Sequence, residues 1–72
     1  MSAPAVRIPA ADVRIGDLVH APGGGWAPVV AVHPVTLTGA VPGALLMAAL
    51  PGGTRLGLLY PARCLITVRR DP

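Results

Sequence analysis

The chain has no lysine and no phenylalanine, one cysteine, three acidic residues and two aromatics, Trp26 and Tyr60. Each scarcity removes an explanation. A lone cysteine, Cys64, excludes an intramolecular disulfide and a cysteine metal cluster, and it suits a reducing cytoplasm, the localisation expected here. Two histidines and three aspartates without ligand spacing make a poor metal site, so neither metal nor cofactor is expected. No charged residue lies between Asp17 and Arg55, which invites a membrane reading. Pro22, Pro28, Pro34, Pro42 and Pro51 interrupt that stretch, as do His33, Gly39 and Gly43. The unbroken run of about 20 apolar residues that a spanning helix needs is missing, and no membrane association is expected. Residues Met1 to Ala11 likewise lack the apolar run of a secretory signal.

What is present is aliphatic and punctuated. In 72 residues, which leave room for one domain spanning 1–72, hydrophobic residues make up 53% and charged residues 12%, with mean hydropathy +0.63. Disorder needs the opposite composition. Val, Leu and Ala supply the bulk, and nine glycines and nine prolines cut it into short runs, the pattern of brief strands joined by turns. All six basic residues are arginine, which together with abundant Ala, Gly and Pro suggests a GC-rich coding sequence. The net charge of +3 favours an anionic partner only weakly.

Period-2 alternation predicts six strands. Val6 to Ile8 is bracketed by Pro4 and Pro9, and the segment from Asp12 to Asp17, with Gly16, redirects the chain. Leu18 to Ala21 ends at Pro22 and the Gly23–Gly24–Gly25 loop, and Trp26 to His33 follows, with Val29 and Ala31 on one side and Val30 and Val32 on the other. Ala44 to Leu50 reads as strand over helix, because two turns of helix are too few between Pro42–Gly43 and Pro51–Gly52–Gly53. Its faces are Leu45 with Met47 and Leu46 with Leu50. Thr54 to Tyr60 puts Leu56, Leu58 and Tyr60 opposite Arg55, Gly57 and Leu59, and Cys64 to Arg69 turns Ile66 and Val68 inward. The fold class expected is all-β, a small barrel of five or six short antiparallel strands.

Val6-x-Ile8-x-x-x-Asp12-Val13-x-x-Gly16-Asp17-x-Val19, Gly25-Trp26-x-x-Val29-x-x-Val32 and Leu56 through Pro61-Ala62 to Val68-Arg69-Arg70 carry a likeness over most of the chain. On these residues it resembles small SH3-like β-barrel proteins of GC-rich bacteria and their phages. The resemblance implies a barrel fold and little about activity. The Gly-Asp element is also similar to the start of self-splicing Hint domains, but the Thr-x-x-His block they need does not occur.

Function is expected to be binding and not catalysis. Cys64, His20 and His33 are the only thiol and imidazole groups, and none sits in a catalytic context; Cys64, opening an apolar strand, reads as a small core hydrophobe. No small-molecule substrate is evident. A barrel this small has interior for one set of side chains, so strands apolar on both faces must turn the second set toward water or a partner. That argument selects Val29, Ala31, Leu46, Leu50 and Leu59 as an interface for a protein partner or a second copy. The alternative is nucleic acid, held by Arg7, Arg55, Arg69 and Arg70 with Trp26 as a stacking platform.

Overall fold

A computed structural model describes residues 4–70. Six strands form one antiparallel sheet: β1 (Ala5–Pro9), β2 (Leu18–His20), β3 (Trp26–Leu37), β4 (Val41–Ala49), β5 (Arg55–Pro61) and β6 (Leu65–Arg69). Their order is β1-β6-β2-β3-β4-β5. Short 3-10 turns occupy residues 10–12, 38–40 and 51–53, and there is no α-helix among the described residues. The sheet does not close into a barrel, because β1 and β5 remain at its two edges. Among the described residues no helix is long and apolar enough to cross a membrane.

Ala44 to Ala49 is strand, as expected between the flanking Pro-Gly pairs, Leu50 lies just past its end, and β3 and β4 are longer than the sequence pattern suggests. Pro34 pairs with Ala44 inside β3, and the ladder runs on to Leu37 opposite Val41. Proline is tolerated there because β2 pairs with β3 only from Trp26 to Pro28, leaving one side of the outer half of β3 without a partner. Gly39 and Ala40 reverse the chain with φ of 78° and 60°. The long hairpin stretches the molecule to 41 × 26 × 19 Å.

The core holds Ala10, Val13, Val19, Ala27, Val29, Ala44, Leu46, Ala48 and Val68. A β-bulge between Val29 and Ala31 sets which side chains reach it. Ala27 and Val29 point inward before the bulge; after the extra residue, Val30, the alternation is rephased and Val32 sits opposite Leu46 against the core. Val29 and Val32 therefore share a face, and the assignment of Val29 and Leu46 to the exterior is corrected: they are 1% and 0% exposed. Leu50 also turns inward and packs on the core. Cys64, expected in the core, is exposed, because the turn Ala62–Arg63 lifts it clear before β6 begins.

The segment from Arg14 to Asp17 is tied to β3 and β6. Gly16 N–H donates to the Val29 carbonyl at 2.9 Å and Val29 N–H to the Asp17 carbonyl at 2.8 Å. Asp17 is the one buried charged residue among the described residues. Its carboxylate accepts from Arg14 N–H at 2.8 Å and from Arg70 Nε and Nη2 at 2.9 and 2.7 Å. A bidentate guanidinium and a backbone donor thus satisfy a carboxylate that would otherwise be costly to bury.

Candidate functional site

Register divides the sheet's outer surface into two regions. In β3, β4 and β5 the inward set includes Val32, Leu46, Leu58, Ala48 and Tyr60. The outward set follows from the pairs Ala31 with Met47, Met47 with Gly57, His33 with Leu45, and Leu45 with Leu59. Ala31, Leu45 and Met47 are half-buried, and Leu59 is 57% exposed. Gly57 contributes no side chain, so a Cβ built there would meet Leu45 Cδ1 and Met47 Sδ at 3.5 Å. Those two residues fill the gap. The result is a patch of Ala31, Leu45, Met47 and Leu59 flanked by exposed His33 and, at the far end of β5, Arg55.

Of the five apolar residues selected from sequence, Ala31 and Leu59 lie on this surface and Val29, Leu46 and Leu50 face the core. Leu45 and Met47 were missed as surface residues. Their pairing on one face of β4 was legible, but which face turns outward was not; in β3 the bulge at Val30 puts Val29 and Ala31 on opposite faces, and nothing in an unbroken Val-Val-Ala-Val run marks it.

The second region spans β1, β6, β2 and the start of β3. Ala5 pairs with Arg69 and Arg7 with Thr67; Arg69 pairs with Leu18, and His20 with Trp26. Arg7, Arg69, His20 and Trp26 accordingly share the outer face, opposite buried Val19, Ala27 and Val68. The His20 and Trp26 rings stack with centroids 4.0 Å apart. The Arg69 guanidinium carbon lies 4.9 Å from the Trp26 centroid, a cation–π contact, and Arg69 Nε is buried without a hydrogen-bond partner. Trp26 is half-buried on the surface and does not close the core, whereas Tyr60 packs against it.

The arginines selected for nucleic acid are only partly brought together. Arg7 and Arg69 share a face with Trp26, but Arg70 turns to the opposite side and is held by Asp17, while Arg55 stands on the opposite edge strand. The Arg70 hydrogen bond holds the Asp17 carboxyl below the usual carboxylate range; burial opposes the effect and the Arg14 N–H adds to it. Cys64 Sγ lies 3.8 Å from the neighbouring Leu65 carbonyl oxygen. Among the described residues no three His, Cys, Asp or Glu side chains form a group that could hold a metal ion.

A shallow apolar cleft of about 300 Å³ is lined by Val41, Pro42, Pro61, Ala62 and Arg63. It sits where β5 ends, and the Ala62 N–H donates to the Pro42 carbonyl at 2.9 Å. Comparison with known proteins gives no guide to these surfaces: no protein family, no curated protein and no solved structure matches the chain.

Proposed function

We propose that the chain is a non-enzymatic docking module, built on a small SH3-like barrel, that binds a protein partner or a second copy through the outer face of β3, β4 and β5. One observation carries this reading: Leu45, Met47 and Leu59 adjoin on the side of the sheet facing away from the core. Apolar side chains gathered on a solvent face lose contact with water on association, and such patches mark interfaces. The barrel assignment draws on the resemblance and on the 3-10 turn at residues 10–12, which follows β1 and comes close to β4 and β5. Ala10 and Ala11 N–H groups donate to the Cys64 and Ala62 carbonyls, drawing the end of β1 to the β5–β6 turn. The exposed free thiol of Cys64 fits a reducing cytoplasm.

A photocrosslinking residue at position 59, expressed in the source cell, tests the reading. It is expected to give a discrete adduct, with this chain or one other protein, that the same residue at exposed Arg14 does not give. Identical patterns at both positions would refute it.

The second reading is accessory nucleic-acid binding, favoured by Arg7, Arg69 and Trp26 sharing one face. Against it, His20 and Arg69 already occupy indole surface that a base would stack on, and Arg70 is neutralised by Asp17. Retention on a DNA resin that falls steeply with salt and is lost in Arg69→Ala would favour this second reading.

A further inference from the structure

The free edge of β5 defines the partner more narrowly. β5 pairs with β4 alone, so its other side presents unpaired backbone donors and acceptors from Arg55 to Tyr60. Exposed edges are usually blunted by an internal charge, a bulge or a covering segment. Here the stretch Leu56-Gly57-Leu58-Leu59-Tyr60 carries no charge, and its register with β4 is unbroken. The covering segment reaches only the end: the Ala11 N–H bonds the Ala62 carbonyl, and Cys64 N–H bonds that of Pro61.

Charge marks both ends of this edge. Arg55 opens β5 and Arg63 follows it, both exposed and neither in an ion pair or side-chain hydrogen bond among the described residues. At about 3.3 Å per residue they lie roughly 20–25 Å apart. The apolar cleft of Val41, Pro42, Pro61 and Ala62 adjoins the edge at the Arg63 end, with Arg63 on its rim. A second copy fits poorly. Two-fold antiparallel pairing of β5 with itself would bring Arg55 toward the partner's Pro61-to-Arg63 end twice, and neither described acid, Asp12 or Asp17, lies on the strand.

Resting on the docking-module reading, we propose that β5 accepts an extended segment of a different protein as an added strand. That segment is apolar along its middle, carries a carboxylate near each end to meet Arg55 and Arg63, and places one large apolar side chain in the cleft beside Pro61. Backbone pairing supplies affinity, and the cleft and the two arginines select sequence and direction.

The test uses the whole chain and a labelled peptide of about eight residues, Asp at each end and alternating Val and Leu between, with a twin carrying Lys for Asp. The acidic peptide is expected to bind by fluorescence anisotropy and to protect the Leu56 to Tyr60 amides from hydrogen exchange. The Lys twin is expected to bind about tenfold or more weakly, and the double variant Arg55→Glu, Arg63→Glu to reverse the preference. Both arginines are exposed, and an unchanged circular dichroism spectrum will show that the variant folds. Equal affinity for both peptides, no binding, or protection of β1 in place of β5 would overturn the proposal. So would protection of the β5 amides that rises with protein concentration alone, since the occupant would then be a second copy. A position-59 adduct obtained alongside a peptide failure sinks the strand-addition proposal and leaves the docking module standing; loss of the adduct sinks the module itself.

Discussion

Asp17 and Arg70 form the one ion pair among the described residues, and acid weakens it. The folded carboxyl has its pKa lowered, chiefly by the Arg70 hydrogen bond and then, against burial, by the Arg14 N–H. A depressed folded pKa contributes stability that is complete above the unfolded value, near 3.8, and is lost as pH falls through the lower, folded one. Thermal midpoints are therefore expected to be flat in this contribution from neutral pH to about 5 and to fall below about 4. Asp17→Asn should be several degrees less stable at pH 7 and lose most of that acid dependence; parallel acid profiles for the two proteins would contradict the assignment. Ala40 has the opposite character. Its φ of 60° places a side chain in the left-handed region, which costs an L-residue about 1–2 kcal/mol. Ala40→Gly is expected to raise stability by about 0.5–1 kcal/mol in chemical denaturation.

The β3–β4 hairpin includes one tight contact. Gly43 is buried opposite Val35, and a Cβ added to it would come within 2.8 Å of Leu37 Cγ. Because that atom is the branch point of Leu37, rotation of the methyl groups alone cannot relieve the overlap. Gly43→Ala should cost about 1–3 kcal/mol as an overpacked substitution, and Leu37→Ala in the same chain should recover most of the loss, measured by a double-mutant cycle. The strands were legible where Pro and Gly punctuate them: Val6 to Ile8, Trp26 onward, and the alternation of Leu56, Leu58 and Tyr60 all appear in the sheet. The tip from Pro34 to Val41 was not, since a proline reads as a break unless the strand is known to lack a neighbour on one side. The bulge at Val30 was equally silent, and it put Val29 and Ala31 on opposite faces. Ala31 and Leu59 do face outward; Val29 turns inward because the bulge separates it from Ala31, and Leu46 and Leu50 lie on the core side of the sheet, which leaves Leu45 and Met47 outside.

At the scale of the whole molecule, the balance between interior and exterior apolar residues gives opposite expectations for neighbouring leucines. A 72-residue domain has a total stability of about 4–11 kcal/mol. Leu46 is 0% exposed at the centre of the core, and truncating a buried leucine to alanine costs about 2–5 kcal/mol, a large share of that total. Leu59, paired with Leu45 on the outer surface and 57% exposed, leaves little burial to lose. Leu46→Ala is therefore expected to unfold the chain or bring its midpoint close to room temperature, and Leu59→Ala to change it by less than about 0.5 kcal/mol. Partner or self-association should respond in the reverse order, since only Leu59 is available to another molecule. Thermal unfolding and sedimentation velocity of the two variants read both quantities. A Leu59→Ala chain as destabilised as Leu46→Ala would mean that the outer leucine is structural, and the surface would then have no apolar anchor to offer.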